Sequence, residues 1–170
     1  MEVLRDPDCS PKRVSERDVA MVTEESLSIL EGHIEHRFTN PSLLREALIH
    51  TIESPRPGLR SNAPLAWLGD AVVKLVVSED LYRRKGDGPE GVLTEERGKI
   101  QSHEPRAHAA RFLRLDKHLE NSAGKPIPDD QLVSSTALST AYEAVVGAIY
   151  LDGADGPQAA RDFVRRTLRA

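Results

Sequence analysis

Apolar residues recur along this chain at intervals of three and four, and no convincing run shows the two-residue alternation of a half-buried strand. The pattern predicts an all-α protein, a bundle of helices. A first helix is expected from Ser15, its N-cap, to about residue 31, with Val19, Val22, Leu27 and Leu30 on one side. Asn40 followed by Pro41 reads as a cap and first-turn proline for a short helix, PSLLREALIH, that turns Leu43, Leu44, Ala47 and Leu48 inward. After a loop at 54–62 comes a long helix over about 64–84, stopped by KGDGPEG. Two shorter helices follow at about 92–101 and 104–113, and then a loop, NSAGKPIPDDQ, at 121–131. That loop is not a phosphate loop: AGK lacks the glycine that must precede it, and no strand leads into it. A helix over about 133–151 stacks Leu138, Ala141, Tyr142, Val145 and Ile149 and stops at Asp152-Gly153. A last helix from Gly156 buries Ala160, Phe163, Val164 and Leu168, with Arg165, Arg166 and Arg169 favouring its C-terminal dipole. Trp67 and Tyr142 are both assigned to the core.

With 170 residues the chain can close one hydrophobic core without a staple. Residues 1–14 are polar and charged and are expected to be disordered, leaving 15–170 as one domain. The single cysteine, Cys9, excludes a disulfide framework and a cysteine metal site. The first twenty residues contain no secretory apolar core, and no segment is apolar for the ~20 residues of a membrane span, so an intracellular, cytoplasmic protein is expected, an organelle remaining open. The six histidines lack a third ligand at helical spacing, which argues against zinc at the pairs His33/His36 and His103/His108. Net charge is -4, unlike a strongly cationic nucleic-acid binder. Yet residues 83–118 hold nine basic and six acidic side chains, so positive charge is concentrated there. A solvated helical face explains that excess as well as a partner does.

Two carboxylates interrupt otherwise apolar helices. In LAWLGDAVV, 65–73, Asp70 lies about 140° round the helix from Leu65, beside Ala66 and Val77. Glu143 lies about 140° from Leu138 on its own helix, beside Thr140, Gly147 and Tyr150. Each acid therefore borders a core face, and each helix carries a glycine able to permit close packing. A carboxylate removed from water needs a cation, a donor set or a metal ion. Facing solvent at the helix boundary or pairing with arginine would satisfy these two equally well, and periodicity leaves the choice open.

The run NAPLAWLGDAVVKLVVSEDLYRR, 62–84, resembles the signature helix of ribonuclease III, usually Asn-Glu-Arg-Leu-Glu-Phe-Leu-Gly-Asp. HRFTNPSLLREALIH, 36–50, is similar to the family's N-terminal helical pair. EGVLTEERGKIQS, 90–102, resembles the segment after the signature helix, and STAYEAVVGAIYLDG, 139–153, resembles the second acidic motif. The resemblance runs in the right order over about 33–170. It implies an all-α endonuclease domain that forms a homodimer, uses Mg2+, for which Mn2+ can substitute, and cleaves double-stranded RNA. Of the family's four metal-binding carboxylates only Asp70 and Glu143 remain, because Ala66 and Thr140 stand where the pattern has Glu and Asp. Ala63 likewise replaces a Glu beside Asn62, leaving Glu90 without its acidic companion. LAWLGD and STAYEA nevertheless resemble the forms carried by the mini-ribonuclease III branch, which has no separate double-stranded-RNA-binding domain, and none is expected here.

What the resemblance implies for the site is one Mg2+ held by Asp70 and Glu143 as catalytic and metal-binding residues. Thr140, a hydroxyl able to orient water beside the ion, Glu90 and Asn62 are supporting residues. Arg97, Lys99 and Arg106, with Asn121, Ser122 and Lys125 from the loop, are candidates for RNA contact, since an A-form duplex is read through shape and phosphate charge. Hydrolysis by water would leave 5'-phosphate and 3'-hydroxyl ends. The alternative is a catalytically inactive ribonuclease III fold serving as an RNA-binding or ribosome-associated scaffold, favoured by the missing acids and opposed by the retention of Asp70 and Glu143.

Overall fold

A computed structural model of the chain describes residues 23–50, 60–121, 123–128 and 133–168. The expectations placed on residues 1–22, on most of the loop at 54–62, on Ser122 and on Arg169 lie outside the described residues. Seven α-helices run in the order α1 (Glu24–Ile34), α2 (Pro41–Leu48), α3 (Ala63–Lys85), α4 (Glu90–Ile100), α5 (His103–Phe112), α6 (Ser135–Leu151) and α7 (Gly156–Thr167), with one 3-10 turn at Leu115–Lys117. Among the described residues extended pairing is limited to isolated bridges, Ile49 with Glu120 and Glu120 with Pro126. No described helix is long and apolar enough to cross a membrane.

Local chemistry explains most of the boundaries. Asn40 caps α2 by accepting from the Ser42 amide, with Pro41 in the first turn. Ser134 caps α6 by accepting from Ala137 N–H. At α1 the described cap is Thr23, accepting from Ser26 N–H. Helix α1 thus starts after Thr23; the Ser15 cap expected from periodicity lies outside the described residues.

Helix α6 is the central element: α2, α3, α5 and α7 all pack against it, and its apolar residues are almost completely buried. Its crossing with α3 is unusually close. A Cβ added to Gly69 would lie 1.8 Å from the Glu143 carbonyl oxygen, and one added to Gly147 would lie 2.2 Å from the Leu65 carbonyl oxygen. Only glycine at both positions lets the two backbones touch. On the far side of α6, Tyr142 stacks on Phe163 of α7 with centroids 5.7 Å apart. Thr167 donates its hydroxyl hydrogen to the Phe163 carbonyl, so the Tyr142 hydroxyl donates to Thr167 Oγ1, at 2.7 Å. Burial pushes the phenol pKa up, and Tyr142 is a core residue as its spacing indicates.

Trp67 is not in the core. It is 80 % exposed. Two residues beyond Leu65 on a helix is about 160° away from the buried stripe, so its position along the chain, not its apolar character, decides where it points. Arg165 is engaged by Asp80 of α3, its Nε 3.1 and 3.2 Å from the two carboxylate oxygens, and Arg161 pairs with Glu79. The cationic end of α7 is therefore bound to α3 as well as suited to its own dipole.

Candidate active site

The contact between Gly69 and Gly147 determines what lies beside it. Asp70 follows Gly69, and Glu143 sits one helical turn before Gly147, so two acids 73 residues apart in sequence reach the same edge of the α3–α6 crossing. A single side chain from a third helix joins them. Arg106, in α5, donates from Nη1 to Asp70 Oδ1 at 3.1 Å, and the same nitrogen forms an ion pair with Glu143 Oε1. Lys74, one turn after Asp70, binds the other oxygen of that carboxylate. Two negative charges thus meet two positive ones.

Exposure is graded across the cluster. The Asp70 side chain is 32 % exposed, that of Glu143 13 % and that of Arg106 8 %. Burial pushes the Glu143 carboxyl above its ordinary range, the Arg106 guanidinium opposes this, and the neighbouring Asp70 charge adds to it. The Arg106 Nε is buried with no hydrogen-bond partner. The guanidinium is held at one corner only, and a buried N–H left unpaired is unfavourable.

Two carboxylates from different helices meeting at one nitrogen mark a cation position, with the guanidinium as a stand-in for any other cation. Their donor chemistry, hard carboxylate oxygens with Asp70 the more exposed acid, fits one Mg2+ ion completed by waters and substrate oxygens. Among the described residues no group of three or more His, Cys, Asp or Glu side chains gathers in metal-holding range, so an all-protein cage is not formed. Ala66, where the ribonuclease III pattern carries Glu, is 5 % exposed and packed in the core.

The remaining residues singled out from sequence are more dispersed. Thr140 lies one turn before Glu143, half-buried, its hydroxyl donating to the Thr136 carbonyl at 3.0 Å. Asn62 is buried at the start of α3, where its amide N–H donates to the Ile49 carbonyl at 2.9 Å and its side chain to the Ala47 carbonyl at 3.4 Å; it joins α2 to α3. Glu90 opens α4 and is exposed. The length of α3, about 35 Å, separates it from Asn62 within one chain. Arg97 reaches the Ser78 hydroxyl at 3.3 Å, and Lys99 pairs with Glu95 at 2.7 Å on the surface. Asn121 uses its side-chain oxygen to close a turn, accepting from Ala123 and Lys125 amides at 2.9 and 3.1 Å, which leaves the Lys125 side chain exposed.

Arg106, a candidate for RNA contact by sequence, is 6 % exposed and committed to the acid pair. A signal was present in the chain: Arg106 shares the buried face of α5 with Ala107 and Ala110, and a cation on an apolar face needs an anion. Lys74 was also readable, as the i+4 partner of Asp70.

With this geometry established, comparison with known proteins gives a consistent result. The family model for the ribonuclease III domain matches residues 63–154, from the first residue of α3 to just past the end of α6. The chain is 41 % identical over 134 residues to Ribonuclease 3 of Symbiobacterium thermophilum, covering 78 % of this chain and 55 % of that protein. It is 35 % identical over 139 residues to Ribonuclease 3 of Bdellovibrio bacteriovorus, covering 81 % and 58 % respectively. The solved nuclease domain of ribonuclease III from Campylobacter jejuni, described as flexible in a region involved in dimer formation, superposes with a TM-score of 0.67 at 27 % identity, covering 83 % of this chain and 97 % of that one. The all-helical fold of this chain matches that of ribonuclease III nuclease domains. This chain belongs to the ribonuclease III domain family, and it spans somewhat more than half the length of these curated relatives.

Proposed function

We propose that the chain is the catalytic domain of a Mg2+-dependent endoribonuclease that cleaves double-stranded or structured RNA in an intracellular compartment, acting as a homodimer and leaving 5'-phosphate and 3'-hydroxyl ends. The observation carrying this reading is the convergence of Asp70 and Glu143, from helices far apart in sequence, on one cation position. Two acids partly withdrawn from water side by side are unfavourable unless a cation joins them.

Asp70 and Glu143 would hold the ion, which when bound supplies positive charge against the phosphoryl oxygens of the scissile phosphodiester. Asp70, the more exposed acid, faces the solvent side from which substrate approaches, while Glu143 anchors from within. Thr140 lies on the same stretch of α6, its hydroxyl oxygen able to accept a further hydrogen bond. Lys99 and Lys125 present exposed ammonium groups for phosphates, with Arg97, Asn121 and Ser122 as neighbouring candidates. Asn62 supports by fixing the start of α3, and Glu90 serves only where a second copy brings it to the acid pair. Duplex binding through exposed Lys and Arg side chains would weaken as salt rises, with a slope set by the number of phosphates they neutralise. The LAWLGD and STAYEA motifs support activity with two acids, as in the mini-ribonuclease III branch they resemble.

One observation favours a second reading. The acid pair already has two cations, Arg106 and Lys74, and two of the family's acids are absent. A non-catalytic RNA-binding scaffold would look the same. The two readings part when purified protein is incubated with duplex RNA in Mg2+ or EDTA, beside Asp70→Asn and Glu143→Gln. Cleavage that EDTA abolishes and either variant lowers by at least about a hundredfold is expected of the enzyme. Duplex binding with no cleavage, or cleavage indifferent to both substitutions, overturns it.

A further inference from the structure

The four missing or retained acids account for only half of the site; the other half is a resident cation. The Arg106 Nη1 lies where an ion shared by Asp70 and Glu143 would lie, since it contacts one oxygen of each. Its side chain is 8 % exposed, so it is not a surface arginine that has folded down onto the nearest acid. It comes from α5, which packs on α6 beside the crossing, and its backbone position is fixed by buried Ala107, Ala109 and Ala110. Lys74 takes the remaining Asp70 oxygen from the solvent side. Formal charge in the cluster is balanced, whereas a divalent ion requires excess negative charge. Both conditions for its entry, vacant oxygens and unbalanced acids, arise only when the guanidinium leaves.

We propose that Arg106 is a built-in competitor of the divalent metal: its guanidinium occupies the cation position between Asp70 and Glu143, and a metal ion binds by displacing it. This rests on the metal-dependent reading above and deepens it. The arrangement forms a two-state switch in the fold. In one state the guanidinium neutralises the acids and keeps the domain stable without metal. In the other the ion takes the oxygens and the guanidinium withdraws. The unpartnered Arg106 Nε weakens the first state, because the pocket satisfies the guanidinium at Nη1 but not at Nε. Apparent metal affinity then equals the intrinsic affinity reduced by the fraction of molecules whose site has been vacated. A chain with two acids and no competing arginine would bind metal more tightly than this one does.

The experiment is a binding titration, without RNA and without turnover. Mn2+ is titrated into the full chain, free ion being read by electron paramagnetic resonance, for the wild type, Arg106→Met, Arg106→Lys and Asp70→Asn. Met retains the length and apolar stem of the side chain and removes its charge. Arg106→Met is expected to bind at least about tenfold more tightly than wild type, Arg106→Lys to fall between them, and Asp70→Asn to lose the site. Thermal unfolding should show the counterpart: Arg106→Met less stable than wild type in EDTA, and raised more than wild type by saturating Mg2+. Should Arg106→Met fail to fold, the wild type alone still decides the matter through the Arg106 Nε–Hε resonance, which must shift as Mg2+ saturates the site. Equal Mn2+ affinity in wild type and Arg106→Met, with Asp70→Asn still defective, or an Arg106 resonance unmoved by saturating Mg2+, overturns the competitor and leaves the metal-dependent nuclease standing. No Mn2+ binding by any of the four chains overturns both.

Discussion

At the scale of single residues, two carboxylates of α6 and its C-cap do opposite work. Glu143 is held off its ordinary pKa by burial and faces a cation that can be exchanged. Asp152, at the C-terminal end of α6, is bound by donors that cannot leave. Its Oδ2 accepts from His36 Nε2 and from Thr39 N–H, and its Oδ1 from Asn40 N–H, all at 2.9 Å. Burial raises the Asp152 pKa, but the Asn40 and Thr39 amides and His36 together lower it by more, so the net shift is downward from 3.8. An acid whose folded pKa lies below its unfolded value adds stability that is fully present above the unfolded value and is lost as pH falls through the folded one. For Asp152 that window lies at and below pH 3.8. Asp152→Asn should therefore lose about 2 kcal/mol of unfolding free energy at pH 7, since charge-assisted hydrogen bonds are replaced by weaker ones and an amide N–H₂ is turned towards donors. Urea denaturation from pH 7 to pH 2.5 checks this. The gap between wild type and variant should narrow as pH falls below about 4; a gap that has not narrowed by pH 2.5 would show that the carboxylate charge is not what stabilises the turn. The Asn40 cap was legible in sequence because its partner is two residues away. Its Asp152 contact was not, because the two lie 112 positions apart and only the folded chain brings them together.

At the scale of helices, the geometry of the site follows from two glycines more than from the acids. Gly69 and Gly147 let α3 and α6 touch backbone to backbone, and this close approach places residues 70 and 143 at the edge of one crossing. Gly69→Ala drives a methyl group into the Glu143 carbonyl, and neither backbone can yield without parting the helices. A loss of about 3 kcal/mol or more is expected, with weakened Mn2+ binding in whatever fraction folds. Gly98→Ala, exposed in the last turn of α4 with nothing within 4 Å of its added Cβ, should instead gain up to about 0.5–1 kcal/mol from helix propensity. Guanidinium denaturation of both variants decides it. Equal effects would mean that the crossing is looser than described. This level was largely readable in the chain, because helix periodicity set both acids beside core stripes and set a glycine on each helix. What could not be read was the third helix. The Arg106 position on α5 reports a buried cation, but which anion it meets depends on how α5 leans on α6, and no spacing along the chain encodes that angle.

At the scale of the whole molecule, the described domain leaves one helix face uncovered. Trp67, Leu75 and Tyr82 of α3 are 80 %, 48 % and 68 % exposed, with Ala71 also exposed. Projected along the helix, these four lie within about 80° of one another, and Asp70 lies about 60° from Trp67 on the other side. An apolar strip of this kind, with two large aromatics, is more than the scattered apolar exposure normal for a surface. Its place next to the acid pair means that whatever covers it also walls the site. A second copy of the chain is the occupant we propose, in keeping with the homodimer above, because a two-fold axis across α3 would pair each strip with itself. It would also provide the only route by which a distant residue such as Glu90 could approach an acid pair, that of the other copy. Aromatic anchors dominate such interfaces, and placing a carboxylate at one of them leaves a charge buried without a partner. Trp67→Glu is accordingly expected to raise the dimer dissociation constant by at least about thirtyfold, while the far-ultraviolet dichroism of a folded helical domain is retained, and to lower duplex cleavage along with dimer content. Sedimentation equilibrium of wild type and variant over micromolar concentrations gives the answer. A wild type that is monomeric throughout, or a Trp67→Glu variant that dimerises as well as wild type, would place the interface elsewhere and leave the strip without a role in assembly.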